Sequence, residues 1–181
     1  MQSLITSDRS YLYVDVGGGS TEFTLYSGGE VVASRSFKLG TVRLLEGLVG
    51  HNTWNEVEQW IKEVTEGHKK IDLIGSGGNI NKIFKLSGKK DGKPLTYFYM
   101  VTFYEFIQSY TYEERVTELG LNLDRADVII PATRIYLSAM KWSRAKNIHV
   151  PKIGLSDGII KSLYCRHHQR INTKTFILEH L

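Results

Sequence analysis

The densest chemical signal in the chain is Asp15-Val16-Gly17-Gly18-Gly19-Ser20-Thr21-Glu22. Three consecutive glycines strip a turn of side chains, so an anion can approach backbone N–H groups directly. Ser20 and Thr21 add hydroxyl donors, while Asp15 and Glu22 place carboxylates on either side. Carboxylates beside a phosphate site repel the ligand unless a divalent cation lies between, and Mg²⁺ suits such oxygen donors. The expected phosphate contacts are Gly17, Gly18, Gly19, Ser20 and Thr21. Asp15 is the expected metal ligand, and Glu22 the expected catalytic group, orienting the metal's water or a phosphate. A plain hairpin turn needs neither three glycines nor two flanking carboxylates. The cluster joins two strands and lacks Gly-Lys-Ser/Thr. That excludes the P-loop and the dinucleotide fingerprint, both of which lead from a strand into a helix.

A second cluster, Gly75-Ser76-Gly77-Gly78-Asn79, follows the apolar run Ile71–Ile74 and precedes a helical pattern. A glycine loop opening onto a helix N-terminus offers free N–H groups and a positive dipole end. Ser76, Gly77, Gly78 and Asn79 are the expected phosphate contacts here. A tight strand-to-helix loop explains this cluster alone equally well, but two clusters in one short chain favour a ligand carrying several phosphates. Arg43, just after the third strand, either reaches a phosphate or forms a helix-surface ion pair.

The elements that position these loops follow from periodicity. Tyr11–Val16, Thr21–Tyr26 and Val31–Leu39 read as strands joined by tight turns, the second at Ser27-Gly28-Gly29-Glu30. Thr41–Leu48 is a short helix pattern. Asn55–His68 is amphipathic through Val57, Trp60, Ile61 and Val64, with Asn55 and Glu58 as a capping pair. Ile71–Gly75 reads as a buried strand, Asn79–Leu86 as a helix and Ser87–Pro94 as a surface loop. Val101–Leu119 suggests helices. Asp124–Trp142 is the longest helix pattern, with Pro131 in a first turn or at a break. Asn147–Ile153 is a last strand, Ser156–Tyr164 a last helix, and residues from Arg166 onward a frayed tail. The expected fold is α/β: a mixed sheet opening with three antiparallel strands, with helices packed on it.

The 181 residues suffice for one ordinary domain, expected over residues 1–165. The hydrophobic fraction of 41% and charged fraction of 23% exclude disorder, collagen and coiled coil as descriptions of the whole. No apolar run approaches the roughly 18 residues of a membrane span, and Met1–Ser10 has no secretory pattern. Cys165 alone excludes a disulfide framework and a cysteine-based zinc site, so the cytoplasm is the expected compartment. The formal charge of +4 suits an anionic ligand without requiring nucleic acid. No histidines have the spacing of a helical transition-metal site.

Five blocks taken together resemble the exopolyphosphatase / guanosine pentaphosphate phosphohydrolase family. They are Asp15–Glu22, Ser36–Leu44, Gly75–Asn79, Arg125–Ala132 (Arg-Ala-Asp-Val-Ile-Ile-Pro-Ala) and Gly154–Ile160 (Gly-Leu-Ser-Asp-Gly-Ile-Ile). The resemblance covers Tyr11 to about Leu163. It implies an actin-like, ribonuclease-H-like fold and a Mg²⁺-dependent phosphoanhydride hydrolase acting on inorganic polyphosphate or a guanosine nucleotide. It implies that the Gly17–Ser20 loop binds phosphate, that Asp15 helps hold Mg²⁺, and that the Gly75–Asn79 loop faces the same cleft. It further implies that this chain is the second domain of a two-domain core. The first domain, with an Asp-x-Gly-Ser-Asn loop and a water-activating Glu, is expected upstream as a partner and is absent from the chain. Ser156 stands where the family often has Arg, which removes one basic contact or alters specificity. No His-Asp pair is present, in keeping with the absence of the longer members' C-terminal extension.

Other readings stay open. An actin-like kinase or ATPase would need an adenosine pocket near Gly75–Asn79, and a non-catalytic polyphosphate- or alarmone-binding domain would bind without turnover. A homodimer through aromatic stretches such as Tyr97–Tyr104 is a further alternative. Arg125 with Asp127 reads as a structural cap or ion pair, and Lys82, Lys85, Lys89, Lys90 and Lys93 as a solvated surface.

Overall fold

Alternation in the first strand has the expected outcome. β1 (Ser10–Val16) buries Leu12, Val14 and Val16 and turns Tyr13 and Asp15 to the other face. It pairs antiparallel with β2 (Thr21–Ser27), which pairs antiparallel with β3 (Glu30–Phe37), so the meander is present. A computed structural model describes residues 9–151. Those residues lie within one compact unit, Met1–Pro151. The expected domain end at 165, the helix Ser156–Tyr164 and the tail lie outside the described residues, whereas the last strand, expected to run to Ile153, ends at His149.

β3 stops two residues short of Leu39. Leu39 is fully buried, and Gly40 follows as the N-cap of α1 (Thr41–Leu45). The helix α2 (His51–Val64) begins a turn before the expected start, with Gly50 as N-cap. Asn55 and Glu58 therefore lie inside it rather than capping it. The apolar stripe extends back to Trp54, whose ring meets Trp142 edge-on at 5.9 Å, and that contact carries the helix past Asn55. Thr65 ends it, returning its hydroxyl to the Ile61 carbonyl at 2.6 Å.

β4 (Ile71–Ser76) runs parallel to β1 and leads through Gly77 into α3 (Gly78–Leu86). A two-residue strand, β5 (Leu95–Thr96), precedes α4 (Tyr97–Gln108) and was not legible in the pattern. The helical stretch expected over Val101–Leu119 divides at Thr111, which forms a full capping box with Glu114 and starts α5 (Tyr112–Thr117). The long helix expected over Asp124–Trp142 also divides, into α6 (Leu123–Ala126) and α7 (Ile129–Ser143). Pro131 thus falls in the first turn of α7, where its missing N–H costs nothing. β6 (Asn147–His149) pairs parallel with β4 and antiparallel with β5, giving the order β3-β2-β1-β4-β6-β5.

One face of this mixed sheet makes the core. Leu12, Val14, Phe23, Leu25 and Leu73 cluster with Val57 and Ile61 of α2, Ile80 and Ile83 of α3, and Ile135 and Met140 of α7. Each such fully buried side chain contributes about 1.5–3 kcal/mol. The opposite face carries Tyr13, Asp15, Glu22 and Ser76. Among the described residues, no helix is long and apolar enough to cross a membrane.

Candidate functional site

The parallel pairing of β1 with β4 sets Asp15 beside Ser76. Both strands end at the same level, and both run directly into glycine. The crevice beyond the carboxyl ends of adjacent parallel strands is the usual ligand position in an open α/β sheet. Gly77 has φ of 111°, a conformation that disfavours any side chain. A Cβ there would stand 3.2 Å from the Val16 carbonyl oxygen and 3.5 Å from Asp15 Oδ1. The second loop therefore closes against Asp15, and the two glycine clusters lie together at the strand ends.

The first loop has an inner and an outer side. Gly17 N–H donates to the Ser20 carbonyl at 2.9 Å. The Gly17 carbonyl accepts from Thr41 N–H at 3.0 Å, and the Gly18 carbonyl from Val42 N–H at 3.0 Å and Arg43 N–H at 3.4 Å. The orphan donors of the α1 N-terminus are thus satisfied by the loop. Gly40 makes this close approach possible, because a Cβ there would overlap the Gly18 and Gly19 backbone. Among the described residues, the N–H groups of Gly18, Gly19 and Ser20 have no backbone acceptor. Gly18 and Gly19 are exposed, so their donors suit an incoming anion.

The side chains around the loop fall into two groups. Thr21 is fully buried and gives its hydroxyl to the Leu39 carbonyl, so it braces the loop and has no hydroxyl to offer a phosphate. Ser20 Oγ donates to Glu22 Oε1 at 2.7 Å, and Ser36 Oγ donates to the same oxygen at 2.8 Å. Glu22 is the cross-strand neighbour of Asp15. Tyr13 Oη donates to Asp15 Oδ2 at 3.4 Å. Burial pushes the Tyr13 phenol up, the Ser76 hydroxyl opposes this, and the charges of Asp15 and Glu22 add to it. The phenol accordingly stays neutral and able to donate at ordinary pH. Among the described residues, no three His, Cys, Asp or Glu side chains gather into a metal cage.

The second loop opens α3 without any side-chain cap. The N–H groups of its first turn lack intrahelical acceptors by construction. Asn79 is buried, and its Oδ1 has no hydrogen-bond partner. Against this turn lies Arg125 of α6. A Cβ on Gly78 would overlap the Arg125 guanidinium, so Gly78 is the space in which that group rests. In place of the expected pairing with Asp127, the ion pair of Arg125 is a long one to its neighbour Asp124, with Nε 3.8 Å from Oδ2. A cation held at a helix N-terminus is unfavourable unless an anion accompanies it. Sequence reading gave Arg125 a structural part, and nothing local to Arg125 signals its meeting with Gly78. Arg43 is anchored by its amide to the first loop, and its buried Nε has no partner among the described residues. Lys82 and Lys89 bond the carbonyls of Gly120 and Pro94, at 2.7 and 2.9 Å, in keeping with a structural surface.

A family model described as the Ppx/GppA phosphatase family matches residues 1–167. The chain belongs to the Ppx/GppA phosphatase family. Its fold is similar to two crystal structures of the Aquifex aeolicus family member. One, the type II variant, has 25% identity and a TM-score of 0.71 over 85% of this chain; the other has 24% identity and 0.73 over 87%. An exopolyphosphatase from Cytophaga hutchinsonii is similar at 20% identity and a TM-score of 0.66 over 86% of this chain. The chain spans 57% of the length of each of these three neighbours. Comparison with curated proteins found no match. The Ppx/GppA neighbours share the mixed six-stranded α/β architecture, and the expected actin-like, ribonuclease-H-like class is the fold observed.

Proposed function

We propose that this chain forms one wall of a phosphoanhydride hydrolase site, and that its substrate is inorganic polyphosphate or guanosine pentaphosphate. The observation that carries the reading is the closure of the Gly77 loop onto Asp15, which sets a carboxylate between two sets of free backbone donors. The Gly18–Ser20 amides bind one phosphoryl group, and the first turn of α3 with Arg125 binds another. Arg43 adds positive charge beside the first loop. These fixed donors offset the negative charge that phosphoryl transfer spreads over the equatorial oxygens.

Asp15 and the second oxygen of Glu22 fit Mg²⁺ in donor type: hard carboxylates, few in number, with phosphate and water left to complete the shell. Bound there, the ion would neutralise charge shared by Asp15 and phosphate. Ser20 and Ser36 hold Glu22 in place, and Tyr13 holds Asp15. The carboxylate that activates water comes, in this reading, from a separate domain preceding the chain, whose relatives are longer.

Calorimetric titration of the 181-residue chain with tripolyphosphate, with and without Mg²⁺, tests the binding half. Mg²⁺-strengthened binding with little turnover is the expected result. Phosphate-release assays on a longer protein containing the preceding domain test the catalytic half. Full turnover by this chain alone would overturn the division of labour, and no tripolyphosphate binding would overturn the site.

A further inference from the structure

Tyr136 of α7 is fully buried, yet its hydroxyl stands at the junction of the two glycine loops. Its Oη donates to the Ser76 carbonyl at 2.5 Å. The same oxygen lies 3.7 Å from where a Cβ on Gly77 would stand. Burial pushes this phenol far up, with the Asp15 charge adding to the effect and hydrogen bonding from the Val16 backbone opposing it. One hydroxyl on the central core helix thus holds Ser76, the last residue of β4, which stands beside Asp15 of β1 and immediately precedes Gly77.

We propose that Tyr136 is a positioning residue, whose hydroxyl pins the end of β4 beside Asp15 and so sets the spacing between the two anion-binding loops. Its place in substrate binding rests on the function proposed above, whereas the pin itself does not. The Ser76 carbonyl faces the interior at the point where β4 leaves the ladder, and a buried carbonyl without a donor costs about 1–3 kcal/mol. Gly77 supplies no side chain to steady the turn. The helix α7 packs against both β1 and β4. A tyrosine suits the task because its ring fills core volume while its hydroxyl reaches the strand ends. Ser76 stands beside Asp15 and leads into α3, so a shift of the pinned carbonyl also changes the separation between the carboxylate and α3.

The test compares the full chain with Tyr136→Phe, which keeps the ring and removes the hydroxyl. Thr133→Val serves as control. It deletes another fully buried hydroxyl of α7, one bonded to the Ile129 carbonyl at 2.7 Å and remote in role from the loops. Amide hydrogen exchange is read at Gly17, whose N–H is bonded to the Ser20 carbonyl, and at Asn81, whose N–H is bonded to the Gly77 carbonyl, alongside thermal unfolding. Tyr136→Phe should speed exchange at both loops about tenfold, the equivalent of one lost hydrogen bond, beyond any change set by global stability. Thr133→Val should change global stability and leave the loops' relative protection as it was. Equal effects of both variants, or unchanged loop exchange in Tyr136→Phe, overturn the pin. A second readout, tripolyphosphate affinity with Mg²⁺, should fall in Tyr136→Phe and not in Thr133→Val. If the unaltered chain binds no tripolyphosphate, the functional reading fails while the exchange data still decide the pin.

Discussion

Asp15 and Ser76 stand side by side in the parallel ladder between β1 and β4. That register brings together two glycine clusters that the sequence keeps far apart. A slip of one residue would turn Asp15 into the core and Val16 toward the ligand.

In the proposed site, Asp15 is the group whose charge calls for a cation. In Asp15→Asn, tripolyphosphate alone should bind at least as well as to the unaltered chain, because a repelling charge is gone. The strengthening by Mg²⁺ should disappear. Paired titrations with and without the metal check this, and a retained Mg²⁺ effect would remove Asp15 from the metal site.

Gly78 and Arg125 form a second testable pair. Alanine at 78 meets only the far end of a flexible side chain, so stability should change by less than about 1 kcal/mol. The displaced guanidinium should nevertheless weaken tripolyphosphate binding severalfold, as should Arg125→Ala. The double variant should be little worse than either single one. Additive losses would mean that the two residues act independently.

Gly40 is less tolerant. Its neighbours are the Gly18 and Gly19 backbone atoms rather than a side chain, so Gly40→Ala must shift main chain. The expected cost is roughly 1–3 kcal/mol in denaturant unfolding. Loss of tripolyphosphate affinity should accompany it, because α1 is what holds the loop.

Asp72 governs the acid side of stability. It is buried and accepts hydrogen bonds from Arg9 at 2.7 Å and Asn147 at 3.1 Å, with His149 Nε2 at 3.4 Å. Burial alone would raise this carboxyl, but His149, Asn147 and the Arg9 charge together hold it below its usual value. The folded value thus lies below the unfolded one of about 3.9. The stabilisation is present above the unfolded value and is lost as pH falls through the folded value. Asp72→Asn should be less stable at neutral pH by roughly 1–3 kcal/mol. It should also lose less further stability on acidification, as read from urea midpoints across the acid range.

Much of this was legible from local pattern. Alternation in Tyr11–Val16 announces a strand with Asp15 on the polar face, and the glycines announce both loops. Thr21 was misleading because a hydroxyl beside a glycine turn looks available, while its strand position points it at Leu39. The Asn55 and Glu58 pair imitates a helix start, but the packing of Trp54 extends the helix past it. The break at Asp127–Val128 lies within an unbroken apolar period, which conceals where Pro131 forces the helix to begin anew. Arg125 over Gly78 and Tyr136 under Ser76 are through-space meetings of distant residues, and no local spacing encodes them.

The α1 amides that rest on the Gly17 and Gly18 carbonyls have a consequence for anyone wishing to borrow this loop. The four residues Gly17–Ser20 are not a portable motif. Grafted into another hairpin, they would carry the glycines but lose the helix end that faces the carbonyls inward and the Gly40 that lets it dock. The smallest transferable module runs from the strand bearing Asp15 to the helix bearing Arg43. It arrives with its donors already aimed, so an anion need not organise the turn in order to occupy it.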